Sequence, residues 1–295
     1  MATALASGGC GSVKDGEDGG DEMEPDASPP GAPSSDAQPP SDSPDGAPEP
    51  PPPGELGSME NPAISCTELL DEHGPQSGVY WILHPDGKGS AFDVYCEQNL
   101  LGGGWTMLFN SVLDFQGNTL AFWQLGHDQR FDSKGLAALR ENYYRGSLYR
   151  VGTTYVDVIE DVGGDWAVAL HATATGIDED TLRFMEPALI SAPDRGLYDY
   201  FAAAGWSSND RDNDTSSQFH CAMLANGVAQ HYSTCWGYNL GSDGDDSDPP
   251  GDPDPDDNGV GPHARFNLLE ALGLYSEPGD TYSRVNRITR FTRWR

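Results

Sequence analysis

The sequence predicts an α+β domain built on a central antiparallel sheet, stapled by two disulfides and irregular in its last third. Three observations carry that expectation. The stretch Tyr95-Cys96-Glu97-Gln98-Asn99-Leu100-Leu101-Gly102-Gly103-Gly104-Trp105 closes one strand and opens another across three adjacent glycines. So many glycines are entropically costly, which implies backbone geometry that side chains would forbid. Alternating, β-rich runs recur along the chain, while helical patterns are few and short. The cysteines fall into two local pairs, Cys66 with Cys96 and Cys221 with Cys235, plus an odd Cys10.

Composition separates a leader from the domain. Residues 1–58 hold 12 acids against one Lys, are rich in Pro, Gly and Ser, and have almost no large apolar side chains. Such a segment buries too little surface to offset chain entropy, so disorder is expected there. Residues 59–295 hold all seven tryptophans and suit one domain. The formal net charge of −31 repels phosphates, so no nucleic acid partner is expected. No run approaches the roughly 18–20 apolar residues of a membrane span. Disulfides need an oxidising compartment, so the domain should be exported; the alternative is four buried free thiols in a reducing one.

The elements follow in order. Ser65 can cap a short helix, with Glu68 completing a capping box. Ser77 to Leu83 and Ala91 to Cys96 pair as a hairpin around Pro85-Asp86-Gly87. A Cys66–Cys96 bridge would staple the helix to that hairpin. Trp105 to Phe109 alternates as a buried strand. Asp132 to Tyr144 could form a helix, and Leu148 to Ile159 and Trp166 to Thr173 supply the central sheet. Phe266 to Leu274 reads as a short amphipathic helix. Tyr282 to Trp294 alternates as a closing strand whose arginines, Arg284 and Arg290 among them, balance an acidic domain.

These residues resemble the fibrinogen C-terminal-like domain family. The chain matches its opening motif Y-C-D-x-x-x-x-G-G-G-W except for Glu97 in place of Asp. C-x-x-L-L, S-G-x-Y-x-I and F-x-V-Y-C precede it in the family's order. Phe122-Trp123 faintly echoes an F-W-L-G segment, and the likeness is thin between about 110 and 200. Trp206 to Ser217 is similar to the family's calcium loop, F-S-T-x-D-x-D-N-D. Carboxylates at alternate positions can converge on one hard cation that takes six to eight oxygens. The resemblance implies calcium held by Asp212 and Asp214, with backbone carbonyls of Ser216 and of Ser217 or Gln218, and Asp210 supporting. The run to Cys221 is one residue longer than the family's, and the competing reading is a solvated acidic turn.

The same resemblance implies a loop-rich calcium and ligand subdomain. In ficolin-like and tachylectin-like members, a non-proline cis peptide before the second Cys and nearby aromatics cradle an acetyl group. By position, the pocket residues here are His231, Tyr232, Thr234, Cys235 and Trp236. Gln230-His231 replaces a paired Trp and Trp236 replaces a His; the alternative is ordinary core around a disulfide. Asp254, Asp256, Asn258 and Gly259 open like an EF-hand loop inside an acidic run of eight aspartates between 243 and 257. The closing Glu is absent, Arg265 standing in its place, so a second cation site competes with a flexible acidic loop.

Small residues leading to Cys10-Gly11-Ser12 resemble the tail of a bacterial lipoprotein signal. That implies a lipid on Cys10, residues 11–58 as a tether, and no other membrane contact. No HExxH, GxSxG or phosphate-cradling glycine loop occurs in the sequence, so no enzyme is expected. The expected role is calcium-dependent recognition of a glycan or other acetylated surface ligand. The alternative is an adhesive surface protein that binds another protein.

Overall fold

The computed structural model describes residues 50–84, 90–113, 118–233, 237–242, 260–276 and 282–294. Cys10, the turn at 85–87, Thr234, Cys235, Trp236 and the acidic run with Asp254, Asp256 and Asn258 lie outside them.

Helix α1 (Cys66–His73) begins where expected: the Ser65 hydroxyl accepts the Glu68 N–H at 3.1 Å. The return arm of the box shifts by one residue, Glu68 accepting from Ile64 N–H at 2.6 Å. Strands β1 (Gly78–Ile82) and β2 (Phe92–Glu97) form the hairpin, and the Cys66–Cys96 disulfide joins α1 to it across a Cα separation of 5.4 Å. The chain packs earlier than composition suggests. Leu56 lies against the core, and Gly57 accepts the Trp81 N–H at 2.7 Å.

The glycine run turns the chain from β2 into β3 (Trp105–Val112). Gly102, Gly103 and Gly104 have φ of 85°, 75° and 76°. A Cβ on Gly103 would lie 2.5 Å from the Gln98 carbonyl oxygen, and one on Gly104 would lie 2.8 Å from Thr67 Oγ1. Only glycine permits that left-handed backbone at such close approach. Glu97, fully buried, closes the turn by accepting from Asn99 N–H at 2.7 Å and from the Ser77 hydroxyl at 2.9 Å.

Helix α2 (Asn118–Trp123) follows, then β4 (Ser133–Gly135) and β5 (Tyr143–Arg145). The helix expected over Asp132 to Tyr144 is therefore corrected to two strands and a loop. Gly135 sits at φ 82°, and Asn110 Nδ2 takes the carbonyls of Leu139 and Glu141 at 3.0 and 2.9 Å, which a helix would keep for itself. Next come β6 (Thr154–Glu160), β7 (Trp166–Thr173), the pair β8 (Gly176–Ile177) and β9 (Phe184–Met185), β10 (Ala188–Ser191) and α3 (Arg195–Ala203). Strand β11 (Gly205–Ser207), α4 (Cys221–Leu224) and β12 (Gln230–Tyr232) lead to β13 (Tyr238–Asn239), β14 (His263–Arg265) and α5 (Phe266–Leu272).

The expected closing strand divides into β15 (Tyr282–Arg284) and β16 (Arg287–Arg293), and β16 is central rather than peripheral. The main sheet runs β1-β2-β3-β16-β6-β7-β10, with β5 joined to β3 and β4 to β5, every pair antiparallel. Two small sheets, β11-β12 and β13-β14-β15, belong to the last third.

Because β16 is central, Arg290 is 2 % exposed rather than a surface counter-charge. Its Nε and Nη2 donate to the two carboxylate oxygens of Asp157 on β6 at 2.6 and 2.7 Å. Nη2 also reaches the Tyr238 hydroxyl at 2.9 Å, and that hydroxyl donates to Asp157 at 2.8 Å. The guanidinium lies over the rings of Phe109, Phe184 and Phe201. Burial opposes its charge, but contact with Asp157 outweighs that and holds it firmly protonated.

Loss of one partner strands the other charge in the core. Asp157→Asn is expected to cost about 3–5 kcal/mol, read as a lowered urea midpoint with the denaturant slope unchanged.

The same core holds His231, stacked on Phe184 with ring centroids 5.0 Å apart and Nε2 3.0 Å from the Leu182 carbonyl oxygen. Burial first, then Arg290, push its pKa from the usual 6.5 down to about 3. The unfolded chain therefore binds a proton here between those values that the folded chain does not. The contribution to stability is whole above pH 6.5 and is lost as pH falls toward 3. His231→Gln should flatten the acid limb of stability by about one proton, about 1.4 kcal/mol per pH unit. An unaltered slope in urea titrations from pH 7 to 4 would show that the folded chain takes up this proton.

Candidate calcium loop and ligand cleft

Strand β11 launches the acidic loop, and a close backbone approach sets its path. A Cβ on Gly205 would lie 2.1 Å from the Asn213 carbonyl oxygen, so the loop can return over β11 only with glycine there. Ser207 Oγ accepts the Asn213 N–H at 2.8 Å, and Asn213 Nδ2 donates to the Trp206 carbonyl at 2.9 Å. That buries the Asn213 amide, so the Asn213-Asp214-Thr215 sequon presents no free acceptor nitrogen. Arg183 donates to the carbonyls of Asn213 and Asp214 at 2.9 and 3.3 Å.

Asp212 and Asp214 are brought together. Asp212 Oδ1 accepts the Asp214 N–H at 3.1 Å, and Asp214 accepts Ser216 and Cys221 N–H groups at 2.8 Å each. Burial, and the Asp212 charge beside it, push the Asp214 carboxyl up, against the pull of those two N–H donors. Asp210 accepts from the Ser208 hydroxyl at 2.6 Å and His127 N–H at 2.9 Å, and the Ser208 bond leads in holding its pKa down. Ser216 Oγ caps the next turn by accepting from Phe219 N–H at 3.1 Å, and Ser217 is exposed. Among the described residues no three His, Cys, Asp or Glu side chains gather as a metal cluster. The Asp212 and Asp214 carboxylates are oxygen donors of the type that a hard cation such as calcium takes.

The expected pocket residues divide. His231 and Tyr232 are buried, at 5 % and 0 % exposure. The Tyr232 hydroxyl donates to the Val228 carbonyl at 2.8 Å and accepts from Asn239 Nδ2 at 3.0 Å. As side chains both form core rather than a ligand-facing wall. Cys221 is buried too, while its expected partner Cys235 lies beyond the described residues, with Thr234, Trp236 and the expected cis peptide.

Sequence reasoning passed over the residues that hold this region in place. Gln230, noted only as replacing an aromatic, spans both sides of the 234–236 segment: Nε2 donates to the Tyr238 carbonyl and Oε1 accepts the Leu240 N–H, each at 2.9 Å. Asn239 accepts N–H groups of Gly241 and Ser242 at 2.9 Å. Ser233 and Gly237, at the two ends of the segment, line a cleft of about 290 Å³ with Tyr200 and Arg265. Thr215 ties the acidic loop to that cleft: its N–H donates to the Ser233 carbonyl at 2.9 Å, and the two hydroxyls lie 3.2 Å apart.

No protein-family model matches the chain. Human fibroleukin is 36% identical over 75 residues, 25% of this chain and 15% of that protein. Human ficolin-3 is 26% identical over 189 residues, 63% of this chain and 60% of that protein. The chain thus spans less than two thirds of either relative. The fibrinogen-like globe domain of human ANGPTL6 superposes with a TM-score of 0.53 at 20% identity, covering 80% of this chain and 96% of that domain. The mixed architecture around a central antiparallel sheet is therefore the fold of a fibrinogen-like globe.

Proposed function

We infer that this chain is a non-enzymatic, calcium-dependent recognition module of a cell surface that binds glycans or other acetylated ligands. The observation that supports this most directly is the Thr215–Ser233 link, which couples the acidic loop to a cleft wall. Asp212 and Asp214, with the carbonyls of Ser216 and Ser217, would hold calcium, whose charge relieves the repulsion between the two carboxylates. Asp214, tethered to the Ser216 and Cys221 N–H groups, then keeps Thr215 against Ser233. Ser233 and Gly237 flank in sequence Thr234, Cys235 and Trp236, where the resemblance puts an acetyl group. The Cys66–Cys96 disulfide suits export to an oxidising compartment, and a lipid on Cys10 would anchor the chain there.

A second reading, protein binding without a sugar pocket, is favoured by three apolar side chains exposed together just past the acidic loop. Phe219, Met223 and Leu224 are 53 %, 54 % and 39 % open to solvent.

Calcium at about 100 times its Kd should add about 2.7 kcal/mol, a rise in Tm of roughly 5–10 °C over chelator, and Asp212→Asn should abolish that rise. Equal melting in calcium and chelator rejects the metal. On a glycan array, calcium-dependent binding to N-acetylated sugars supports the lectin reading, and silence under both conditions turns the choice to protein binding.

A further inference from the structure

The loop from Trp206 to Ser217 carries a single Lys or Arg, Arg211, set between Asp210 and Asp212. A positive side chain inside a calcium loop works against it, because it repels the incoming ion and competes for the same carboxylates. The backbone of Arg211 is fixed. Ser208 N–H donates to the Arg211 carbonyl at 2.9 Å and Arg211 N–H to the Ser208 carbonyl at 3.3 Å, which closes a tight bridge. Where the charge rests therefore depends on what the side chain meets.

It meets Asp180, in the turn between β8 and β9. Arg211 Nη2 donates to Asp180 Oδ2, and both side chains are partly exposed. That turn is firmly built. Asp178 Oδ1 accepts the Thr181 N–H and hydroxyl at 2.8 Å each, and the Asp178 carbonyl accepts the Leu182 N–H at 2.7 Å. It is also fastened to both flanks of the loop. The Thr181 carbonyl accepts the Trp206 N–H at 2.8 Å, and Arg183 holds the carbonyls of Asn213 and Asp214. Neighbouring charges are engaged elsewhere: Glu179 pairs with Arg150 at 3.4 Å, and its carbonyl accepts Arg130 Nε at 3.0 Å. His127 Nε2 lies 3.7 Å from Asp180 Oδ1, but burial first, then Arg130 and Arg211, push its pKa down, so Arg211 is the charged partner at neutral pH.

We propose that Asp180 is a positioning residue that sets the calcium affinity of the loop by holding the Arg211 guanidinium away from Asp212 and Asp214. This rests on the calcium reading above and adds to it a residue 31 positions upstream of Arg211. An exposed ion pair adds little to folding, so its effect falls on the field that the cation meets.

The test titrates the full chain with calcium chloride at neutral pH and reads affinity from the heat of binding. Asp180→Asn should weaken binding about three- to tenfold, the scale of one unit charge brought within about 7 Å of a divalent ion in water. Arg211→Gln should bind at least as tightly as wild type. Adding Asp180→Asn to it should cost less than half, on a logarithmic scale, of the loss seen in the wild-type background. Asp180→Glu, which keeps the carboxylate, should stay near wild type. Melting in chelator reports the fold separately, and every variant should lie within about 2 °C of wild type. Unchanged affinity in Asp180→Asn overturns the proposal. So does an equal loss in both backgrounds, which assigns the effect to the distant field of Asp180 alone; in either case the calcium reading stands. A wild-type chain that takes up no calcium overturns both.

Discussion

The contact between Arg290 and Asp157 is the interaction on which the rest of the molecule depends. It joins the two middle strands of the main sheet, and through Tyr238 it reaches the small sheet that carries the cleft. Both ions are taken out of water, a cost of several kcal/mol each, and two-point geometry with a shared phenol offsets it. Three aromatic rings around the guanidinium add favourable contact with their π faces. The arrangement is demanding, since each partner is an uncompensated charge without the other.

The last third of the chain has little regular structure, and polar side chains do there what strand ladders do elsewhere. Gln230 bonds the backbone of Tyr238 and Leu240, Asn239 that of Gly241 and Ser242, and Asn213 that of Trp206. Those bonds are buried, so water competes little with them. A cation between Asp212 and Asp214 would act on the loop that the Thr215–Ser233 contact ties to the cleft.

Legibility in the sequence followed locality. The Glu97-to-Trp105 turn could be read because its requirements are met within a few residues: three left-handed glycines, one buried acid and a strand start. The Asp212–Asp214 pair could be read for the same reason. The segment from Asp132 to Tyr144 could not, because its helical composition is overridden by Asn110, whose side chain takes its carbonyls from another strand. The resemblance puts His231 and Tyr232 in the pocket by position; stacking of His231 on Phe184 and the hydrogen bond from the Tyr232 hydroxyl to the Val228 carbonyl keep both side chains buried.

The sequence by itself determined the class of fold, the glycine turn, the opening helix and hairpin, and the pairing of Asp212 with Asp214. Each of these rests on short-range sterics, capping or charge crowding that no distant residue can alter. Tertiary structure alone decided that β16 lies in the middle of the sheet and that Arg290 is an internal ion rather than a surface counter-charge. Those outcomes turn on which strands become neighbours. Strand order is set by the burial of whole faces across 100 residues and more, and no local pattern encodes it.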